Sequence, residues 1–484
     1  MEMPLKQAAR LGGSLNPVFV RVCDIISSRS VAAFKWLFRL DKKVGKASIP
    51  EQSEDAPGVR RVVFLQGPAG RTFEKVGREL QARGHHVFRV NFNFGDRLFW
   101  RLPGGVAFRS RTKFWPGFFE NLLCRTQATD IVLFGDCRPQ HRVAIEVAKR
   151  NGVAVHVLEE GYIRPNWVTL QRDGVNGHSN LSQDPDWYLQ QPQTHAAGAI
   201  IEQPYSFTRR AIEDVIYNLG RLAGSPAYPF YRNHRPWHPL VEYAGWIRRL
   251  IGKGAEKRRA AAVVAALRVN GAPYFLFPLQ LDCDFQVRVH SPYGAIRPAL
   301  EQVLSSFSRC APPEALLVIK QHPLENGLRN WRKVIGEIAT PLKVQNRVLF
   351  LEDGDLCGLL RGQGARGMVT INSTSGMDAL AARVPLIALG TAVYDIRGLT
   401  NGKDLDRFWT DGQPPQTELL EAFRFVLFQR CLIPGGFYSK EGIRSIVLGV
   451  VQRLEIHGSP VHSHMVKLAP PALPGRGAEE TVCA

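Results

Sequence analysis

Short apolar runs, each closed by a glycine- or proline-containing turn and followed by a helical pattern, recur along the chain. Arg60-Arg-Val-Val-Phe-Leu65 ends at Gln66-Gly-Pro-Ala-Gly70 and opens a helical pattern closed by Gly84, after which His86-Val-Phe-Arg-Val90 reads as a second strand. The unit returns at Asp130-Ile-Val-Leu-Phe134, with a turn over Gly135-Asp-Cys-Arg-Pro139, a helix from Val143 to Arg150 and a strand from Val153 to Leu158. A third set runs through Tyr274–Phe277, Leu316–Ile319, Val348–Phe350 and Gly367–Ile371, then a helix and Pro385–Leu389. Repeated β-loop-α-β units imply parallel sheets covered by helices. The expected fold class is therefore α/β, with two doubly wound Rossmann-type domains facing a central cleft.

The expected division is a basic leader over 1–58, an N-terminal α/β domain over 59–245, a basic linker helix over 246–268, a C-terminal α/β domain over 269–455 and a disordered tail over 456–484. Residues 1–50 carry nine Lys/Arg against three Asp/Glu. Their apolar-basic stretch Val31–Leu40 reads either as an amphipathic helix lying on anionic lipid or as a floppy leader. Ser225–Pro239 is rich in proline, aromatics and bases, and Trp246–Arg259 carries six Lys/Arg. Together they form a linker or an accessory surface.

With 484 residues, 45% of them hydrophobic, the chain can bury a sizeable core, and its composition excludes disorder, collagen and coiled coil as the main architecture. Sixty-two Lys/Arg against 43 Asp/Glu give a formal charge of +19, which favours a polyanionic partner such as an anionic membrane surface or a phosphorylated substrate. Nucleic acid is not expected, because no reading motif accompanies the charge. The eight cysteines form no CxxC pair and no Cys/His cluster at zinc spacing, which is cytosolic usage with thiols mostly free. No run reaches the ~18 apolar residues of a spanning helix, and no cleavable leader pattern opens the chain. The sequence thus predicts a protein neither exported nor integral to a membrane.

In an open α/β sheet, ligands sit beyond the carboxyl ends of the strands, so the polar clusters directly after each strand carry the chemistry. Gly67, in Gly67-Pro-Ala-Gly70, reads equally as a close backbone approach to a ligand and as a plain tight turn. Asp136 is expected to cap the following helix rather than to orient a substrate. Glu159 and Glu160, with Arg164 nearby, offer a base for an acceptor hydroxyl, against the alternative of a solvated turn. In the second half, Gln280, Asp282 and Asp284 lead to Arg288 and His290, and the carboxylates there are candidate nucleophiles toward an anomeric carbon. Lys320 and His322-Pro323 place a cation and an imidazole where a phosphate binds. Ser373, Thr374 and Ser375 bring hydroxyls and free N–H groups to a helix start, as an anion site or an ordinary cap. An acid pair, His-Pro and Ser-Thr, each after a strand and in that order, describe a nucleotide-sugar site between two domains.

At these residues the chain resembles the capsular polysaccharide export and biosynthesis family, whose members are similar to retaining β-Kdo glycosyltransferases of Gram-negative bacteria. The resemblance spans most of residues 60–400, through Val63-Phe-Leu-Gln-Gly-Pro68, Arg89-Val-Asn-Phe-Asn93, Gly95–Trp100, Glu159-Glu-Gly-Tyr-Ile-Arg-Pro165, Tyr231–Pro236, Pro278-Leu-Gln280, His290-Ser-Pro292 and Ile319-Lys-Gln-His-Pro323. It implies a GT-B-like enzyme that takes Kdo from CMP-β-Kdo to a lysophosphatidylglycerol acceptor, starting the linker of a capsule. It also implies that Glu159-Glu160-Gly161, His322-Pro323 and Ser373-Thr374 match the motifs of related CMP-sugar transferases. The family's aspartate after Pro-Leu-Gln falls on Asp284, and this chain carries a further acid at Asp282. Expected partners are CMP-Kdo, lysophosphatidylglycerol, the anionic cytoplasmic face of the inner membrane, where the protein would sit peripherally, and other capsule biosynthesis and export proteins. No cofactor and no metal is expected. A noncatalytic membrane adaptor of the capsule machinery is the alternative.

Overall fold

The computed structural model describes residues 58–192, 206–233 and 235–456. The expected leader, but for Gly58, and the expected tail, but for Ile456, lie outside the described residues. Two sheets organise the described chain. The first is built from β1 (Arg61–Phe64), β2 (His86–Asn91), β3 (Gly105–Ala107), β4 (Asp130–Phe134), β5 (Ala154–Glu160) and β6 (Trp167–Arg172), joined at one edge by β12 (Leu432–Pro434). The second holds β7 (Tyr274–Pro278), β8 (Leu316–Lys320), β9 (Val348–Leu351), β10 (Ala365–Thr370) and β11 (Leu386–Ala388).

Strand order in the first sheet is β12-β6-β5-β4-β1-β2-β3, and in the second β11-β10-β7-β8-β9. All pairings of the second sheet are parallel, as are those from β3 through β5, whereas β6 runs antiparallel to β5 and β12 antiparallel to β6. The apolar runs are continuous because both faces of each sheet are covered. In β1, Val62 and Phe64 enter one core and Val63 the other; in β7, Tyr274 and Leu276 face one core while Phe275 and Phe277 face the second. Successive strands leave β1 toward β2 and β3, then resume on its other side at β4. The second sheet does the same at β7 and β10. Each sheet therefore has one switch point where two loops diverge and a ligand cleft opens. This is the GT-B-like arrangement that the family resemblance implies.

Three features differ from the sequence expectation. The expected linker helix over 246–268 is one helix over Pro239–Asn270, started by Pro239 at its first position and ended by Gly271 in the left-handed region at φ 59°. The expected C-terminal domain does not extend to 455, because after Cys431 the chain crosses back, adds β12 to the first sheet and lays the helix Lys440–Ile456 on that sheet's core. Ile443, Ile446, Val450 and Leu454 are buried there beside Phe73, Val76 and Leu80 of the helix Thr72–Ala82. The guanidinium of Arg453 then donates to the carbonyls of Leu170 and Arg430 at 3.0 Å each, sealing the edge where β12 joins β6. Finally, β5 continues through Glu160, so the acid pair forms the end of a strand rather than the turn after it. Among the described residues, no helix is long and apolar enough to cross a membrane.

Because Ile446 is fully buried in the core of the first sheet, Ile446→Ala should destabilise that sheet by about 2–5 kcal/mol. Denaturant unfolding followed by hydrogen exchange should show the lost protection in β1 and β6, although the substitution lies over 250 residues away from either strand in sequence.

Candidate functional site

Consecutive strand residues point to opposite faces, so Glu159 and Glu160 leave β5 in different directions. The chain then reverses tightly into β6. A Cβ on Gly161 would lie 2.2 Å from the Trp167 carbonyl oxygen, which is why glycine follows the acid pair. Glu160 is held by two arginines. Its Oε2 meets Arg164 Nη1 at 3.0 Å, and its Oε1 meets Arg210 Nη2, from the helix Phe207–Ala223, at 3.1 Å. Burial pushes the Glu160 carboxyl up, but Arg164 and Arg210 outweigh it and hold the group below the ordinary glutamate range.

Glu159 has the opposite fate. Burial, joined by the charge of Glu160, raises it to about 7 against the opposing backbone N–H of Glu160, which donates to Glu159 Oε1 at 3.0 Å, and the charges of Arg138 and Arg164. Neighbouring carboxyls are thus split into one that stays ionised and one that exchanges its proton near neutrality, the usual basis for separate acid and base roles. Arg138 is itself anchored, its Nη1 donating to Gln66 Oε1 at 2.8 Å. Gln66 in turn donates to the buried Asp96 and to the hydroxyls of Tyr217 and Tyr231.

From the second sheet, the loop after β7 presents both candidate nucleophiles, in different settings. Asp282 is committed to structure: Oδ1 accepts from the N–H of Ile296, opening the helix Ile296–Cys310, and Oδ2 pairs with Arg329 Nη1 at 2.8 Å. Asp284 accepts one bond, from the Gln286 N–H at 2.9 Å. Burial raises its carboxyl, the Gln286 N–H and Arg164 oppose this, and Glu160 adds to the rise. Asp284 therefore lies within electrostatic reach of Arg164 and Glu160 of the first half.

After β8, His322 Nδ1 accepts from the Leu324 N–H at 3.0 Å, which leaves the ring proton on Nε2. Burial, Arg164 and Lys320 lower its pKa to about 3, so the imidazole is a neutral donor rather than a cation. Lys320, at the end of β8, is buried, and burial lowers it while Asp353 and Asp355 oppose the shift. Arg249 of the long helix holds this loop by donating to the carbonyl of Pro323 at 2.7 Å and to that of Glu325.

After β10, Ser373 Oγ accepts from the Ser375 N–H at 3.2 Å and from the Ser375 hydroxyl at 2.9 Å, so those two serines satisfy one another at the start of the helix Ser375–Ala381. Thr374 instead lines a small cavity between the halves, together with Tyr162 and Asn176 of the first and Gln286, Asn372 and Tyr394 of the second.

The structure thus gathers Glu159, Glu160, Arg164, Asp284 and His322 around one cleft, through the reach of the Arg164 charge. Other sequence candidates are placed differently. Gln280 forms a reciprocal pair with Asn372, Nε2 to Oδ1 at 3.0 Å and the Asn372 N–H to Oε1 at 3.2 Å, bridging the two loops of the second switch point. A Cβ on Gly67 would lie 2.8 Å from the Phe73 ring, so this glycine makes room for packing rather than for a ligand. Arg288 is exposed. Asp136 does not cap the helix Pro139–Arg150, whose start receives no side-chain bond. Its carboxylate instead accepts from the Val175 N–H at 3.0 Å and from Cys137 at 3.2 Å, and meets His178 Nδ1 at 3.1 Å, so its oxygens are taken up by its neighbour and by the loop beyond β6. His290 joins this group from the second half, with Nε2 3.1 Å from Cys137 Sγ.

Residues that the sequence reading missed are the arginines that set the two glutamates, Arg138 and Arg210, and Asp378, a half-buried carboxyl that loss of solvent pushes up to about 6 against the charge of Arg164. No spacing announces Arg210, which lies 50 positions from its partner. Asp378, three residues past Ser375, is readable as the inner face of a helix that begins at the Ser-Thr cluster.

A family model described as capsule polysaccharide biosynthesis protein matches residues 129–438. The capsule polysaccharide export protein KpsS of Escherichia coli is 34% identical over 380 residues, covering 78% of this chain and 97% of the relative. The capsule polysaccharide modification protein LipB of Neisseria meningitidis serogroup B is 34% identical over 390 residues, covering 78% of this chain and 92% of the relative. Among solved structures, the UDP complex of S. aureus MnaA covers 86% of this chain and 100% of that one, at 9% identity and a TM-score of 0.29.

The raised carboxyl of Glu159 has a stability signature. The folded state binds this proton more tightly than the unfolded chain does, so its contribution to stability is present below the ordinary value of 4.5 and is lost as pH rises through about 7. Glu159→Gln should therefore melt higher than the wild type at pH 8, with the advantage shrinking toward pH 4.5; thermal scans across that range check it.

Proposed function

The chain belongs to the capsule polysaccharide biosynthesis family, and from that premise we propose that it is a retaining β-Kdo glycosyltransferase, moving Kdo from CMP-β-Kdo to lysophosphatidylglycerol at the start of a capsule linker. The observation that carries this reading is the disposition of three carboxyls across the cleft: Asp284 on one side, and on the other an ionised Glu160 beside a Glu159 poised near neutrality. Retention from a β-linked donor follows from two inversions. A carboxylate oxygen of Asp284 attacks the anomeric carbon, the bond to the phosphate oxygen breaks, and CMP leaves with the electron pair. The acceptor hydroxyl oxygen then attacks the same carbon, its proton passes to the Glu159 carboxylate, and Asp284 departs as a carboxylate.

Glu160 is the fixed charge in this scheme. It keeps the Glu159 pKa high enough to take a proton and lends its arginines to the anionic donor. Asp284 fits the nucleophile better than Asp282, whose two oxygens are spent on a helix start and an arginine. His322 Nε2–H and the Lys320 ammonium meet the phosphate, with Thr374 lining the cavity and Ser373 and Ser375 shaping the loop beside it. Charge on the leaving CMP is met by protein groups, so the displacement itself calls for no magnesium or manganese.

A lipid acceptor also accounts for the apolar and basic surface of the long helix. Leu240, Val241, Ile247, Leu250 and Ile251 are exposed, with Trp237 before them and Lys253, Lys257 and Arg258 after them. An anionic bilayer face at the cytoplasmic side suits this combination. Binding to anionic vesicles should weaken with added salt and fall further in Lys253→Glu/Lys257→Glu; equal binding to neutral vesicles would remove the electrostatic part.

Purified protein incubated with freshly made CMP-Kdo and a fluorescent lysophosphatidylglycerol should add one Kdo mass without added divalent cation. Asp284→Asn should lower turnover on the order of 10³-fold while CMP still binds, and His322→Ala about 10²-fold. A slow acceptor should let a Kdo adduct build up on Asp284. No transfer to the lipid under these conditions would favour the noncatalytic adaptor, and an adduct on Asp282 would overturn the assignment.

A further inference from the structure

Four side chains that the displacement does not use converge between the two halves. Asp136 and Cys137 follow β4, His178 ends the turn Asn176–His178 beyond β6, and His290 comes from the second half, after β7. One donor atom of each lies within 4.8 Å of every other. The Cys137 sulfur is 3.2 Å from Asp136 Oδ1 and 3.1 Å from His290 Nε2, while His178 Nδ1 is 3.1 Å from Asp136 Oδ2. The two imidazoles stand almost perpendicular, at 80°, with centroids 4.5 Å apart. We propose that Asp136, Cys137, His178 and His290 bind a zinc-type divalent cation that clasps the two α/β halves together.

Ligand chemistry selects the ion. One thiolate, two imidazoles and one carboxylate suit zinc, whereas magnesium and calcium take oxygen ligands. Around a tetrahedral zinc, with bonds of about 2.0–2.3 Å, ligand atoms stand about 3.3–3.8 Å apart. The three short contacts, at 3.1–3.2 Å, fall slightly below that range and the remaining pairs stand no more than 4.8 Å apart, so the four groups close on one ion by small shifts, outward at the short contacts and inward at the longer ones. Charge closes as well: on binding, the Cys137 S–H bond breaks, sulfur keeps the pair and bonds the metal, and the proton goes to solvent. The thiolate and the Asp136 carboxylate then cancel the dication, which removes most of the cost of burying it.

The surroundings hold the ligands in place. Asp136 Oδ2 also accepts from the Val175 N–H at 3.0 Å. The carbonyl of His290 is fixed by the N–H of Thr391 at 2.8 Å and by Asn372 Nδ2 at 3.1 Å. Gly177 lets the ring approach, since a Cβ there would stand 2.3 Å from His290 Nδ1. Asp136, Cys137 and His290 are buried, and the half-exposed His178 gives the ion a way in. Because only His290 comes from the second half, the ion's effect is to tie the loop after β7, which carries Asp284, to the half that carries the acid pair.

Metal content of the purified full-length chain, read by mass spectrometry, should be about one zinc per chain, falling below about a tenth in Cys137→Ser and His290→Ala and unchanged in Cys124→Ser. Cobalt added to metal-stripped wild type should give a thiolate-to-cobalt absorption band, a readout that needs no variant to fold. Zinc should also raise hydrogen-exchange protection in Asn176–His178 and around His290 together. Absence of the cobalt band, or zinc uptake undiminished in both ligand variants, would overturn the site. Uptake with no change in protection on the two sides would reduce it to adventitious binding and overturn the clasp.

Discussion

Two consecutive carboxyls half-buried at the end of a strand set the conditions for everything around them. Like charges so close cannot both persist without compensation in a medium of low polarity, and the chain resolves this unequally. Arg164 and Arg210 neutralise Glu160, and Glu159 is left to hold or release its proton near neutrality. That solution requires Arg164 to reach back from just past the tight turn at Gly161, and it requires the helix Phe207–Ala223 to dock where Arg210 meets the strand end. Arg164 also faces Asp284, His322 and Asp378 of the second half, so the charge that settles the acid pair is the one that governs the opposite wall of the cleft.

The two sheets prepare this cleft by the same device. At each switch point the loops after two adjacent strands diverge, and a buried glutamine spans the gap. Gln66, after β1, accepts from Arg138, after β4; Gln280, after β7, exchanges two bonds with Asn372, after β10. Neither amide is free for a ligand on those atoms. Each keeps a loop pair at fixed separation, so the groups beside them, Glu159 on one side and Thr374 on the other, inherit a defined position. Pre-organisation of this kind removes the cost of arranging polar groups at the moment of reaction.

Much of this was legible in the sequence, for identifiable reasons. Strands buried on both faces leave continuous apolar runs, so β1, β2, β4, β5, β7, β8, β9 and β10 stand out, and the acid pair, His-Pro and Ser-Thr clusters follow from their ends. The edge elements of the first sheet were not legible. β3 and β12 are three residues each, too short for a period, and β12 depends on a crossing that only tertiary packing selects. Asp136 misled because an acid before a helix commonly caps it, whereas here a backbone N–H from beyond β6 and two side chains compete for its oxygens. The Asp136, Cys137, His178 and His290 group has no local spacing to find, since it is assembled from three separate loops.

The positive charge of the chain also divides once the fold is known. Of the six bases between Trp246 and Arg259, Arg248 and Arg249 donate to carbonyls of the loop after β8, and Arg259 pairs with Glu352. Half of that basic run therefore serves the second domain, and Arg249 in particular fixes the peptide that follows His322. Lys253, Lys257 and Arg258 remain on the exposed side, next to an apolar strip that begins the same helix. One helix thus braces the His-Pro loop with one face and offers a basic, apolar surface with another. Any approach of an anionic surface to that helix would act on the same element that holds His322 in register, which couples the exposed basic face to the geometry of the His-Pro loop without a moving part between them.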